Sequence, residues 1–322
     1  MQVRKEMLNK ELQSSYWMLK LSAKVLMNKT GVRLLNSNSS RSKGKNIEGL
    51  QGEERFVPSR NGGPDIRIRI FKPSNFSGQL PGMLYIHGGG MLMGNPEDYL
   101  AIIKKFIDAK PCVIVAPDYR KALHAPYPAA FNDCYDTLLW MDENADLLDI
   151  LQDKLIIAGH SAGGGLAAAV SLKATDTQDV NIAFQMPIYP MLDDRQVTES
   201  ARDNDAPGWS SKSNNLGWTS YLSDLIKRGA PIPAYAAPAR AKDYSKIPPT
   251  ITFVGDLEPF RDETIQYVEN LKQAGIPVTF KLYEGCFHAF DVVFPDLEIS
   301  KDAWAYLLTS YKAYVDAYIY SK

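Results

Sequence analysis

The chain has 322 residues, of which 45% are hydrophobic and 23% charged, and its formal net charge is −1. That composition describes a polypeptide able to bury a large core, and 322 residues fit a single large α/β domain. Near-zero charge argues against nucleic acid as the main partner, because phosphate recognition needs a basic surface. From the amino terminus to about residue 35, apolar side chains recur at roughly helical spacing: Met7, Leu12, Tyr16, Leu19, Val25 and Leu26. Charges are spread through this stretch, so it lacks the apolar core and small-residue cleavage site of a signal peptide. No apolar run reaches about 18 residues, so no membrane span is expected and cytoplasm is the default location.

NSNSSRSKGKN, at 36–46, is polar, small and aperiodic, and is expected to be a loop. IRIRIF, at 66–71, has the alternation of a half-buried strand. MLYIH, CVIVAP, KLIIAG, NIAFQMP, TITFVG and VTFKLY follow as short β-rich runs of the kind a covered parallel sheet uses. Helical patterns lie between them at about 97–110, 128–143, 162–175 and 261–274, and a last one at about 299–319. This alternation predicts a doubly wound α/β sheet in one domain over 1–322. Residues 192–246 break the rhythm, with no good strand, several aromatic residues and a helix expected from Ser213 to Arg228. An insertion of that size at the carboxyl end of a strand lies where α/β proteins bind ligands. With residues 1–45 it is expected to form a cap over the sheet. Cys112, Cys134 and Cys286 show no paired spacing, so neither a disulfide framework nor a zinc site is suggested.

Two glycine-rich stretches carry the chemistry. In LIIAGHSAGGGLAAAV, at 155–170, Ser161 stands between Gly159 and Gly163 where an apolar run passes into a helical pattern. Gly-x-Ser-x-Gly in a strand-turn-helix setting is the form of a nucleophile elbow, which holds a serine at a helix amino terminus. In MLYIHGGGMLMG, at 83–94, His87 precedes Gly88, Gly89 and Gly90 directly after a strand. That arrangement supplies backbone N–H groups to an oxyanion hole, with a further one from Ala162 just after the serine. A glycine-rich dinucleotide turn with Asp118 as ribose-binding acid is the rival reading of 88–94. Its glycine spacing is loose, and it leaves Ser161 and a late histidine unexplained.

A base is expected late in the chain, after the last strand. His87 and His160 belong to the two motifs and His124 lies upstream of the serine, which leaves His288 in VTFKLYEGCFHAF. For the acid, TITFVGDLEPFRDE offers Asp256, Glu258 and Asp262 near a strand end, between serine and histidine in chain order. Asp262 and Glu263 also suit the first turn of the following helix.

These blocks resemble, in order and over nearly the whole chain, the hormone-sensitive-lipase-like carboxylesterases of the α/β-hydrolase superfamily. HGGG, VAPDYRKALHAPYPAAFNDCYDTLLWM, GHSAGG, YPMLDD, EPFRDE and FHAF carry the likeness. The resemblance implies a helical cap over a mostly parallel eight-stranded sheet, and hydrolysis of small carboxylic esters with neither metal nor cofactor. It implies Ser161 as nucleophile, His288 as base, and Gly88, Gly89, Gly90 and Ala162 as the oxyanion hole. The family's acid usually opens an Asp-Pro-Leu/Phe block, which here reads Glu258-Pro259-Phe260, so Glu258 is favoured over Asp256. His160 stands where family members often carry aspartate. Trp209, Trp218, Tyr221, Met91 and Leu92 are candidate pocket walls or cap core. The likeness is compatible with a homodimer. Two other readings share the motifs: a small-molecule binding protein on a hydrolase scaffold, and an amidase using the same triad.

Overall fold

Most strands form where the sequence concentrates β-branched and other apolar residues, and a single sheet gathers them. The computed structural model describes residues 1–321. Among these, the strands are β1 (Leu50–Val57), β2 (Ile66–Pro73), β3 (Gly82–Ile86), β4 (Val113–Pro117), β5 (Leu155–His160), β6 (Ile182–Ile188), β7 (Thr250–Gly255) and β8 (Val278–Tyr283). Their order is β1-β2-β4-β3-β5-β6-β7-β8. β2 runs antiparallel to both β1 and β4, and every pairing from β4 to β8 is parallel. The central strands β3, β4, β5 and β7 are buried at every position, as a sheet covered on both faces requires.

The helices are α1 (Tyr16–Leu26), α2 (Lys29–Ser39), α3 (Leu100–Ala109), α4 (Ala129–Glu143), α5 (Ala145–Leu148), α6 (Ala162–Thr177), α7 (Ser211–Tyr221), α8 (Ser223–Lys227), α9 (Arg261–Gln273), α10 (Phe290–Val293) and α11 (Glu298–Tyr314). Alternate side chains along β3, β4 and β5 feed two cores. Leu84 and Ile86 of β3 join Phe131 and Leu138 of α4 and Leu166 of α6 on one face. Met83 and Tyr85 join Phe106 of α3 and Trp304 and Leu307 of α11 on the other. None of the described helices is long and apolar enough to cross a membrane.

Three departures from the sequence expectations have physical reasons. The sequence pattern does not mark β1, because only its end residues Leu50 and Val57 are buried and half of the residues between them are charged. Its partner β2 supplies the pairing instead, in register from Leu50 opposite Pro73 to Val57 opposite Ile66. The loop expected at 36–46 begins as helix: Asn28 caps α2 by accepting from the Thr30 and Gly31 amides, and α2 runs on to Ser39. The helix expected from Ser213 to Arg228 is two helices, since Leu222 leaves helical geometry at ψ 8°.

The amino-terminal segment and the 192–246 insertion are tied to each other. The Met1 amine donates to the Arg202 carbonyl at 2.6 Å, and the Val3 amide to the Asp205 carboxylate at 2.6 Å. Lys20 pairs with Asp205 at 2.8 Å. Farther along, the Asn36 side chain donates to the Leu92 carbonyl at 2.8 Å and accepts from the Gly94 amide at 3.2 Å. Those last two bonds fasten α2 to the glycine-rich loop after β3.

Candidate active site

The carboxyl ends of β3, β5, β7 and β8 lie along one edge of the sheet, and each hands over one part of the site. At the end of β5, Ser161 takes φ 60°, ψ −122° and α6 starts at the next residue. A positive φ is strained for a serine, and the turn is fixed by bonds on both sides. The Ser161 amide donates to Ile188 at 2.9 Å, and its carbonyl accepts from Gly165 at 3.0 Å and Met191 at 3.1 Å. Strand and helix approach so closely that glycine is required at both flanks. A Cβ on Gly163 would lie 2.1 Å from the Ile86 carbonyl oxygen, and one on Gly159 2.2 Å from the Gly163 carbonyl oxygen.

His288, five residues past β8, turns its ring onto the serine: Nε2 is 2.7 Å from Ser161 Oγ. Its Nδ1 is hydrogen-bonded to Glu258 Oε2. With Nδ1–H donating to the carboxylate, Nε2 is left to accept the serine hydroxyl. Glu258 is wholly buried and its other oxygen accepts from the Gly255 amide at 3.0 Å. The two turns that carry acid and base are laced together. The Asp256 amide donates to Tyr283 at 3.0 Å and the Leu257 amide to Cys286 at 3.1 Å. Tyr189, Phe260 and Trp209 surround the imidazole, with ring centroids at 4.9, 4.9 and 6.3 Å.

Asp256, the alternative acid, is not on the histidine. Its Oδ1 accepts from the Cys286 amide at 3.3 Å, so it braces the turn below His288. Burial raises its carboxyl pKa. Asp262 accepts from the Ser200 amide at 2.8 Å and pairs with Arg261 at 2.7 Å, in the first turn of α9.

At the end of β3, His87 positions the glycine loop. Its ring stacks on Tyr119 with centroids 4.2 Å apart. Nδ1 donates to the Gly88 carbonyl at 2.7 Å, which leaves Nε2 to accept from Lys121 at 3.3 Å. Burial and the Lys121 charge push its pKa down to about 3, so the ring is neutral. Gly88 packs against the elbow, where a Cβ would meet Ser161 Cβ at 3.3 Å. The Gly88 amide faces the Tyr99 hydroxyl. Among the described residues, the amides of Gly89, Gly90 and Ala162 have no hydrogen-bond acceptor. Ala162 is the first residue of α6, whose amides are free by the geometry of a helix start. Three unpaired donors, on the elbow and on the glycine loop that packs against it through Gly88, suit an oxygen that becomes negatively charged.

Residues 83–292 match the family described as alpha/beta hydrolase fold. The chain belongs to that family. It falls in the hormone-sensitive-lipase-like carboxylesterase branch. This hydrolase is similar to carboxylesterase NlhH of Mycobacterium tuberculosis, 31% identical over 231 residues, covering 71% of this chain and 72% of that protein. It is also similar to esterase LipI of the same organism, 29% identical over 261 residues, covering 76% and 81%. Among solved structures, a bacterial heroin esterase superposes with a TM-score of 0.87 at 31% identity, covering 96% of this chain and 98% of that one.

The remaining histidines of the hydrolase stand away from the serine hydroxyl. His124 is exposed. His160 points behind the elbow, with Nδ1 2.9 Å from the Tyr85 hydroxyl and its ring against Tyr189 and Trp304. Burial, with the nearby His288, lowers its pKa to about 3, so it brings no charge to the site. Of the five candidate wall residues, Trp218, Tyr221, Met91 and Leu92 belong to the core under the insertion. Trp209 belongs to that core and also faces the site, since a Cβ on Gly90 would lie 2.3 Å from its ring. Sequence inspection missed Leu35, Tyr99 and Val292, which with Gly88, Gly89 and Met93 line a cavity of about 380 Å³ beside the glycine loop. No motif marks them; they meet only through the fold. Asp291 was also missed. It is buried behind His288, its carboxyl oxygens lack a hydrogen-bond partner among the described residues, and burial pushes its pKa up to about 7.

Proposed function

We propose that this hydrolase is a serine carboxylesterase acting on small, short-acyl carboxylic esters through an acyl-enzyme. The observation that carries the proposal is the 2.7 Å contact from Ser161 Oγ to a histidine whose other nitrogen is bonded to a buried glutamate. As the serine oxygen adds to the ester carbonyl, His288 Nε2 takes the hydroxyl proton. Glu258 holds the tautomer and offsets the positive charge on the ring. The carbonyl oxygen becomes an oxyanion held by the Gly89, Gly90 and Ala162 amides, each donor of this kind typically contributing about 3 kcal/mol to the transition state. Collapse of the adduct breaks the ester C–O bond, and His288 returns its proton to the departing alcohol. Water then repeats the cycle on the acyl-serine, giving the free acid and restoring the hydroxyl.

Residues 1–45 and 192–246 act together as a cap, and Trp209 is its contribution to the substrate pocket. A short acyl group is favoured because Ser161 is only 8% exposed and the Trp209 ring closes on Gly90. The relatives named carboxylesterase and esterase support ester over amide chemistry. Steady-state kinetics on p-nitrophenyl esters of increasing acyl length, with a matched anilide, test the reading. It predicts the highest kcat/KM at two to four acyl carbons, about 10³-fold or more above the anilide. Equal rates on ester and anilide would show an amidase, and no turnover of any ester would remove the proposal.

A further inference from the structure

We propose that the amino-terminal helices are a docking surface for anionic lipid bilayers, with the outer face of α1 lying in the headgroup region. The first observation is a row of apolar side chains left in solvent. Trp17, Leu21 and Val25 follow one another at helical spacing and are 70, 64 and 60% exposed; Met18 beside them is 60% exposed. Tyr16 points the other way and is buried, its hydroxyl on the Val3 carbonyl at 2.6 Å, so this face is not the packing face of α1. Leu34 of α2 is equally exposed. Elsewhere, exposed apolar residues such as Phe76, Leu147 and Val197 are scattered singly, as on most protein surfaces.

Charge is the second and independent observation. Residues 1–45 hold ten Lys and Arg but two Asp and Glu, a net side-chain charge of +8 against −9 for the rest of the chain. From Leu12 to Ile47 there are seven basic side chains and no acidic one. Lys20 and Lys43 are paired with Asp205 and Asp118, whereas Lys24, Lys29 and Arg33 have no acidic partner among the described residues. A helix with Trp, Leu, Met and Val on one face and lysines at its edges is the composition of an interfacial helix. Basic side chains draw it to an anionic leaflet, and the apolar row is then buried among the acyl chains. A second copy on the same face would set two +8 segments against each other. A soluble polyanion would satisfy the charge but give the aliphatic row little to bury.

Co-sedimentation with large unilamellar vesicles tests the proposal without requiring turnover, so its failure is distinguishable from failure of the esterase reading. Vesicles of phosphatidylcholine alone are compared with vesicles carrying ~30% phosphatidylglycerol. Partitioning is expected to rise about tenfold or more with the anionic lipid and to fall back in ~0.5 M salt. The double variant Leu21→Glu, Val25→Glu is expected to lose about tenfold in binding to the anionic vesicles while its rate on a soluble short ester stays within about twofold. Equal binding to both vesicle types, or unchanged binding by the double variant, would overturn the proposal. So would tighter binding to a DNA oligonucleotide, or a wild-type dimer that the double variant converts to monomer.

Discussion

At the scale of single residues, two acids only two positions apart do different work. Glu258 has its carboxylate on His288 Nδ1, while Asp256 holds the Cys286 amide beneath the same turn. Glu258→Ala should therefore lower kcat by about 10⁴-fold with the chain still folded, as loss of a triad acid does elsewhere. Asp256→Ala should leave kcat within about tenfold and act mainly on stability, because one bond to a buried amide is worth ~1–3 kcal/mol. Kinetics and urea midpoints of the two variants, measured together, check this. Two buried titratable groups behind the elbow set opposite pH trends. His160 has a folded pKa of about 3 against 6.5 in the unfolded chain, so the unfolded state binds the extra proton between those values. Its contribution is full above about pH 6.5 and is lost as the pH falls through that window. Asp291, raised from 3.8 to about 7, works the other way, since the unfolded state gives up its proton first and stability falls as the pH rises from 3.8 to 7. Melting temperatures from pH 4 to 8 should show His160→Gln flattening the acid-side loss, and Asp291→Asn removing a loss on the neutral side.

Elements matter here through the points where they meet. The β5–α6 junction works only because β3 and α6 touch backbone to backbone at Gly163. Gly163→Ala has no room to relax, as both close atoms are carbonyl oxygens of the β3 exit, Ile86 at 2.1 Å and His87 at 2.5 Å. The substitution should cost about 3 kcal/mol in a urea titration and displace the glycine loop with the elbow. What the sequence made legible follows the same division. Gly159, Ser161, Gly163 and the His87 loop announce themselves because tight turns admit few residue types, and the buried parallel strands do so by their unbroken apolar runs. β1 stayed hidden because an edge strand paired on one side carries no apolar run. The break at Leu222 stayed hidden because no glycine or proline marks it. The acid could not be assigned from residue type alone, since Asp256 and Glu258 lie in one turn; only the likeness to Asp-Pro-Leu/Phe blocks favoured Glu258. The cavity lined by Leu35, Tyr99 and Val292 draws on α2, the β3 loop and α10, which no local pattern relates.

Across the whole molecule, the sheet brings strand ends that are far apart in sequence to one edge, so that Ser161 and His288 meet over 127 residues of chain. The basic amino-terminal segment is joined to the insertion on that side through Arg202 and Asp205, which separates a cationic region from an otherwise acidic body. Hydrolysis by this route requires Ser161 as the nucleophile and His288 as its activator. Intact-mass analysis after exposure to a fluorophosphonate measures that directly, with Ser161→Ala and His288→Ala alongside the wild type. The wild type should gain one adduct per chain, Ser161→Ala none, and His288→Ala should label about 10³-fold or more slowly. An adduct that persists in Ser161→Ala, or labelling that does not depend on His288, would contradict it.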